Sequence, residues 1–464
     1  MSNNSRRNFI RLSAITAGFL SLPIRESYSN AQIQEKIEQL SRNKPAHGQH
    51  VAELNHAPID QVKVAFIGLG NRGQNHVELV DALHPKAIIT GLCDVRTEYI
   101  EKASAFIKNQ PVTKALYGGS SEAWKLMAKR DDIDLIIIST PWDDHVPMAL
   151  YCMQQEKHVA VEVPASLSIN GCWALVDTAE AMQRHCMMLE NVCYGDEELW
   201  ILNMVNSGVF GKLTHAEAAY IHDLRSLMFS KTYYYKQWRL RHHLRQDGNL
   251  YPTHGLGPVA QYMNIGRGDR FDHLVSMSSK PASLEEYAKT VESDNEFYQQ
   301  GNFIHGDMSS TLIKTAQGRT ILVQHDVATP RPYNRINALG GTQAYHEGYP
   351  SRLSMNSHKH GHRWLDDTLY KEMRAKYKHP IWDKLKPEIE KYGGHGGMDF
   401  VQMYRLIDCL NRGAKLDMSV YDGVDWSVVV PLSKLSVELG SVPIQFPDFT
   451  RGNWGEEHVL GIME

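Results

Sequence analysis

The sequence predicts an α/β fold in two parts: a doubly wound parallel sheet, then an α+β domain whose strands are mainly antiparallel. Three observations carry this. A glycine-rich turn near residue 70 sits between a β-rich run and a helical stretch. Apolar runs of strand length alternate with crossover-length stretches up to about residue 194. Beyond that point the spacing shifts to alternation with tight-turn signals. At 464 residues the chain is too long for one ordinary core, so two domains plus extensions are expected. An apolar content of 42%, a charged fraction of 22% and a net charge of −4 fit a soluble globular protein. No sustained basic stripe is present to neutralise phosphates, which argues against nucleic acid as a partner. The six cysteines are scattered without a C-x-x-C pair, so neither a zinc site nor a disulfide framework is signalled.

Residues 1–31 predict an export signal rather than part of the fold. Arg6 and Arg7, then Phe9, precede an apolar run from Leu12 to Leu22 that is too short for a stable membrane span. Ser29-Asn30-Ala31 offers a small-x-small cleavage site. The order Ser-Arg-Arg-x-Phe resembles a twin-arginine signal. That resemblance implies the twin-arginine export machinery as a partner, with the protein delivered to the periplasm or beyond already folded and its cofactor loaded in the cytosol. Residues 32–60, polar and weakly periodic, read as a mature N-terminal arm.

The first domain, 61–194, opens on a strand from Val62 to Ile67. The chain then turns through Gly68-x-Gly70-x-x-Gly73 and continues with helical spacing to Leu83. Strand, glycine turn and helix in that order are the context a dinucleotide-binding turn requires, because the backbone must approach a pyrophosphate at a helix N-terminus. The next strand ends in Asp94, about twenty residues further on, where a carboxylate accepts bonds from ribose hydroxyls and repels a 2′-phosphate. NAD is therefore expected over NADP. Further strands are predicted at 133–140, 158–163 and 186–191. Ligands of such sheets bind beyond the carboxyl ends of the strands, which singles out Thr140 to Trp142, Asp144, His145, Glu162, Val163 and Asn191. Each of these also suits ordinary turn or cap chemistry.

The second domain, 195–464, starts with a helix in "DEELWILNMVNSGVFG". Alternating stretches follow in "THAEAAYIHDLR", "FDHLVSMSS" and "SSTLIKTAQGRTILVQHDV", read as antiparallel strands with a turn at Gln317-Gly318. The His-rich "SMNSHKHGHRWLDD" lacks carboxylates or cysteines at ligand spacing, so no metal is expected there. In "KYGGHGGMDF", His395 stands between two pairs of glycines, a support with little backbone preference. A proton carrier on such a loop suits closing over substrate and opening for product. A tight exposed turn is the plainer alternative.

With these residues in view, the chain resembles the Gfo/Idh/MocA oxidoreductase family: the glycine turn, "STPWDDHVPMAL" and "VAVEVPASLS" fall in the family's order. The resemblance covers most of the mature chain. It implies an N-terminal Rossmann domain, a C-terminal domain with a large open sheet, and possible homodimer formation through that sheet. It also implies NAD contacts at Gly68, Gly70, Asn71, Arg72, Gly73, Asp94, Trp142, Asp143, Asp144, His145, Glu162, Val163 and Asn191. Dehydrogenases of the family carry Glu-Lys-Pro after the fifth strand and an aspartate four residues before a histidine. Here Val163 and Leu250 stand at the lysine and aspartate positions, although His254 is kept. A chain that keeps the cofactor site and loses the usual proton acceptors is not an ordinary dehydrogenase.

Glycoside hydrolase family 109 accommodates both departures. Its members are NAD-dependent α-N-acetylgalactosaminidases, including the type that trims the blood-group A determinant. The resemblance to it lies in "GNLYPTHGLGP", "QWRLRH", "RPYNRINALGG" and "GGHGGMDF", and in the export signal. It implies a glycan or glycoside with terminal α-linked N-acetylgalactosamine as substrate. Most glycosidases use two carboxylates flanking the scissile bond, and no such pair is identifiable from spacing here. A tightly bound NAD offers another route: oxidation at C3, loss of the acidified C2 proton, elimination at C1, water addition, and re-reduction that regenerates the cofactor.

That cycle needs groups that exchange protons near neutral pH. The candidates are His395, His254 and Tyr220, and position alone does not assign each transfer to one of them. Tyr220, Arg239, Tyr251, Pro252, Thr253, His254 and Tyr333 are the expected substrate contacts. The tyrosines offer flat faces with a hydroxyl, and Arg239 a rigid fork. Two competing readings are an exported NAD-dependent sugar dehydrogenase with net redox change and a non-catalytic sugar or nucleotide sensor. Val163 and Leu250 oppose the first, and the "GGHGG" loop opposes the second.

Overall fold

The computed structural model describes residues 44–463 apart from 47, 114 and 359–361; the expected export signal and the start of the arm lie outside the described residues. Six strands form the first sheet: β1 (Val62–Ile67), β2 (Ala87–Asp94), β3 (Leu116–Gly118), β4 (Leu135–Ile138), β5 (His158–Val161) and β6 (Cys186–Met188). Their order is β3-β2-β1-β4-β5-β6, and every pairing is parallel. Helices cover both faces of such a sheet, which is why β4 and β5 are buried at every residue, and apolar throughout except at His158, rather than alternating. The edge strand β3 carries no apolar run and is mostly exposed, so periodicity could not reveal it. The strand order reverses between β1 and β4, and the carboxyl ends there open a crevice.

The second sheet has eight strands: β7 (Leu213–Ile221), β8 (Phe271–Ser278), β9 (Ser309–Thr315), β10 (Thr320–Asp326), β11 (Ala338–Gly341), β12 (Ala344–Gly348), β13 (Ser351–Met355) and β14 (Ile444–Gln445). They lie in the order β13-β12-β11-β7-β10-β9-β8-β14. The predicted hairpin forms between β9 and β10. β7, however, runs parallel to β10, with His215 opposite Thr320 and Ile221 opposite Asp326. Alternation sets which face a side chain takes but not strand direction, and no hairpin joins these two strands to fix it. Helix Thr253–Tyr262 presses on β7 closely enough that a Cβ on Gly255 would stand 2.5 Å from the Ala219 nitrogen.

The chain then returns to the first domain. Helix Met398–Arg412 packs on helix Asn71–Ala82 and β1, while helix Val420–Ser427 packs on helix Ile169–Met182 and β6. The arm docks on the same layer, where the His56 and Ile59 amides donate to the Gly413 and Leu410 carbonyls at 3.1 and 3.2 Å. Dividing the chain at 194/195 therefore describes its order but not its packing. The return also carries Asp399 beneath the glycine turn.

Candidate active site

A cleft of about 580 Å³ lies between the carboxyl ends of the parallel strands and the second sheet. The three glycines of its turn have different duties. Gly68 has φ +86°, and a Cβ on it would meet the Ser139 carbonyl oxygen at 2.7 Å; one on Gly73 would meet the Gly68 carbonyl oxygen at 2.0 Å. Gly70 has nothing within 4 Å in the direction of a Cβ, and it lines the cleft. Two glycines thus shape the turn and the third leaves room for a ligand at a helix N-terminus. At the end of β2, Asp94 faces the cleft, its carboxylate fixed by the Leu69 and Arg96 amides at 2.7 and 2.9 Å. Each oxygen keeps a lone pair for ribose hydroxyls. The residues present fit a dinucleotide.

A paired substitution checks this division of labour. Gly70→Val is expected to leave thermal stability within about 0.5 kcal/mol and to weaken NAD binding at least about tenfold. Gly73→Val is expected to cost about 3 kcal/mol or more through its backbone clash. Thermal melts and NAD titrations of the two variants, run side by side, make the comparison.

Under the turn lies a charged knot that sequence reasoning missed. Arg72 donates from Nε to Glu162 Oε1 at 2.7 Å, and from Nη1 and Nη2 to the two oxygens of Asp399 at 2.6 and 3.1 Å. His76 Nε2 donates to Glu162 Oε1 at 2.6 Å, and Asn191 Nδ2 to Asp399 Oδ1 at 2.6 Å. Burial favours the neutral form of both carboxyls, but Arg72 outweighs it and holds both well below the usual carboxylate range, with help from His76 at Glu162 and His395 at Asp399. Burial, and then the Arg72 cation, push His76 below the usual imidazole range. Neither carboxylate is a proton donor at neutral pH. Burial raises Asp144, but that group sits on the nucleotide wall beside Trp142.

The facing wall is aromatic and carries one buried cation. Tyr220 on β7 lies 4.5 Å from the Tyr251 ring and 5.2 Å from the His254 ring, centre to centre. Burial lifts its phenol above the usual range and Arg239 pulls it partly back. The Arg239 guanidinium packs over Tyr251, Trp142, Tyr220 and Tyr234 at 4.7, 5.2, 5.7 and 5.9 Å. Its Nε and Nη2 are buried with no acceptor in the protein. A buried cation with unanswered donors is a receptor for oxygen atoms of a ligand. His254, second residue of its helix, donates from Nδ1 to Glu190 Oε1 at 2.7 Å, which leaves Nε2 3.5 Å from the Tyr251 hydroxyl.

His395 closes the cleft. All of residues 393–397 take positive φ, with values of +52°, +77°, +45°, +72° and +102° in order. A Cβ on Gly394 would come within 2.9 Å of Asp399 Oδ2, and one on Gly397 within 2.4 Å of Ile389 Cγ2. The glycines are thus demanded by a left-handed path, and looseness alone does not account for them. His395 accepts the same conformation without being glycine, at a cost of roughly 1 kcal/mol or more. Its Nδ1 donates to Asp399 Oδ2 at 2.7 Å, while its side chain stays 63% exposed.

The remaining candidates are placed as follows. Asn71, Trp142, Val163 and Asn191 line the cleft; the Val163 carbonyl accepts from the Trp142 indole at 3.1 Å, and Leu250 is fully buried. His145 also lines it, but both ring nitrogens face carbonyls, Pro164 and Thr140, at 2.9 Å. Asp143 points to solvent, 3.8 Å from His242, and Gly73 lies beneath the turn. Pro252 and Thr253 are buried outside the cleft lining. Tyr333 stands at the rim, its ring 5.1 Å from His222 and its hydroxyl accepting from Arg335 at 2.9 Å. Among the described residues no group of three or more His, Cys, Asp or Glu side chains is arranged to hold a metal ion. Part of the His-rich stretch lies outside them.

Fold and cleft together define an NAD-binding Rossmann domain whose crevice is closed by an aromatic, open-sheet second domain. The model of the oxidoreductase family with an NAD-binding Rossmann fold (Gfo/Idh/MocA) matches residues 62–190. Levoglucosan dehydrogenase in complex with NADH superposes with a TM-score of 0.62 at 16% identity, over 84% of this chain and 100% of that one. Apo scyllo-inositol dehydrogenase from Lactobacillus casei does so with a TM-score of 0.59 at 12% identity, over 83% and 98%. At such identities the likeness is one of fold.

The second domain narrows the class. The model of the glycosyl hydrolase 109 C-terminal domain matches residues 194–456. An alpha-N-acetylgalactosaminidase from Shewanella oneidensis is 45% identical over 469 residues, covering 100% of both chains. Glycosyl hydrolase family 109 protein 1 from Shewanella sp. strain MR-4 matches to the same extent. The chain belongs to glycosyl hydrolase family 109.

Proposed function

We propose that this protein hydrolyses glycans or glycosides ending in α-linked N-acetylgalactosamine, using an NAD that stays tightly bound and is restored at each turnover. The observation that carries the reading is a nucleotide cleft whose substrate wall presents His254 and His395, each on its own carboxylate, at 2.7 Å in both cases. The cleft carboxylates Glu162 and Asp399 are locked in the ionised form by Arg72, which leaves them unable to supply the acid of a two-carboxylate mechanism. Val163 and Leu250 offer no proton acceptor for an ordinary sugar dehydrogenase.

Gly70, Asn71, Asp94, Trp142 and Asn191 are the residues that would hold the cofactor. When bound, NAD supplies a reversible acceptor for hydride at C3 of the sugar, which makes the C2 hydrogen acidic. His254 Nε2, its other nitrogen committed to Glu190, takes the proton of the C3 hydroxyl and returns it. Tyr220 carries the C2 proton, taking it up as the phenolate, a form that burial disfavours and that Arg239, 5.7 Å from the ring centre, favours. In its doubly protonated form His395 gives the Nε2 proton to the departing oxygen, and the neutral ring that remains, with hydrogen on Nδ1, takes a proton from water at Nε2. Arg239 receives a hydroxyl or acetamido oxygen on its unpaired donors.

The name of the Shewanella oneidensis relative supports the substrate, and the paired arginines at 6 and 7 support twin-arginine export to the periplasm or beyond. The open sheet of the second domain makes a homodimer a natural assembly. The test is to incubate the purified protein, without added cofactor, with an aryl α-N-acetylgalactosaminide in deuterated water. Phenol release with deuterium at C2 of the sugar is the expected result. NADH accumulating on addition of NAD, with no phenol released, overturns it in favour of a dehydrogenase.

A further inference from the structure

Asp399 follows His395 by four residues and opens helix Met398–Arg412, so by position alone it is a first-turn acid. Its surroundings say more. The side chain is 1% exposed and its two oxygens gather four donors. Oδ2 takes Arg72 Nη1 at 2.6 Å and His395 Nδ1 at 2.7 Å; Oδ1 takes Asn191 Nδ2 at 2.6 Å and Arg72 Nη2 at 3.1 Å. Arg72 and Asn191 suffice to satisfy a buried carboxylate. The histidine contact is additional, and the chain makes room for it: a Cβ on Gly394 would lie 2.9 Å from that same Oδ2.

We infer that Asp399 is a positioning residue for the proton carrier. It fixes His395 in the tautomer with hydrogen on Nδ1, so that Nε2 faces the cleft as the working nitrogen. An ionised carboxylate only accepts, so the shared contact puts the proton on Nδ1 and the lone pair on Nε2. Because Arg72 and Asn191 belong to the nucleotide-binding half, the orientation of His395 depends on the docking of the two halves. His395 is thereby set by the same arginine that borders the dinucleotide turn. This inference rests on the reading of His395 as the group that serves the leaving oxygen and water.

The test is a double-mutant cycle on the full-length protein: Asp399→Asn, His395→Ala and both together, with NAD content and thermal midpoint recorded for each. Asp399→Asn is expected to lower kcat about 30- to 100-fold with KM changed less than about threefold. In the His395→Ala background the same substitution should cost less than about twofold, because it acts through the imidazole. A loss of equal size in both backgrounds overturns the inference and makes Asp399 a structural residue only. Unaltered turnover in His395→Ala sinks the proton-carrier reading itself, and this inference with it. A measurement free of any Asp399 variant uses ¹⁵N-histidine spectra of the wild-type protein, with His395 identified as the signal lost in His395→Ala. Hydrogen on Nδ1 is expected, and hydrogen on Nε2 in the neutral ring overturns the assignment.

Discussion

Replacing His395 with alanine should lower kcat on an alkyl or glycan α-N-acetylgalactosaminide by about 10²- to 10⁴-fold, the range carried by a positioned acid–base group. Alanine is the clean choice because it meets the same φ of +45° as the histidine does, so the backbone cost is matched. The side chain is 63% exposed and its one hydrogen bond is to Asp399, so NAD content and melting temperature should stay near the wild-type values. The leaving group gives the sharper readout. An aryl glycoside with an acidic phenol needs little help from a proton donor, so its rate should fall by a smaller factor than that of an alkyl glycoside. Equal losses on the two substrates would count against His395 as the acid and leave only the water-activating step.

The parts of this arrangement that were legible in the sequence are the local ones. The run from Val62 to Gly73 announces a strand, a turn and a helix because each signal depends on near neighbours. The same holds for Asp94 at the end of β2 and for the hairpin at Gln317-Gly318. The knot beneath the turn had no such signal. Arg72 and Asp399 lie 327 residues apart, and only the return of helix Met398–Arg412 to the first domain brings them together. Glu190 reads as one more residue near the end of a predicted strand until His254, 64 positions on, turns Nδ1 toward it. The parallel pairing of β7 with β10 escaped for the same reason. One signal was available: a histidine and an aspartate four apart around a helix start can share a proton. It went unused because the glycines of "GGHGG" read as looseness, whereas they are the left-handed path that brings the pair together.

The end of β6 shows how few residues organise both proton carriers. Glu190 holds His254, and its neighbour Asn191 donates to Asp399, which holds His395. One dipeptide at the carboxyl end of a strand therefore addresses two imidazoles that reach it from different parts of the second half of the chain. In an open α/β sheet this is where ligands bind, and a rigid strand end is a firmer anchor for such groups than the loops that carry them.

Arg72 is the residue on which this arrangement should prove most dependent. Arg72→Met keeps the length of the stem but leaves Glu162 and Asp399 buried without their cation. Breaking a buried pair in that way is expected to cost about 3–5 kcal/mol at neutral pH. The pH dependence separates this cause from lost packing. In the wild type both carboxyls are depressed below their unfolded values of about 3.9 and 4.3. Their stabilising contribution is thus complete above that range and fades as pH falls through it. In the variant, only the contacts from His76 and His395 still oppose burial, which is expected to raise both groups above their unfolded values. Its penalty is then full at high pH and shrinks as acid protonates the buried carboxyls. The stability gap between the two proteins should therefore be widest above neutrality and close progressively toward pH ~4. Denaturant unfolding at pH 8, 6 and 4.5 measures it. A gap that stays constant across those values would mean that Arg72 contributes its hydrocarbon stem rather than its charge, and that the coupling of the cofactor turn to His395 runs through packing alone.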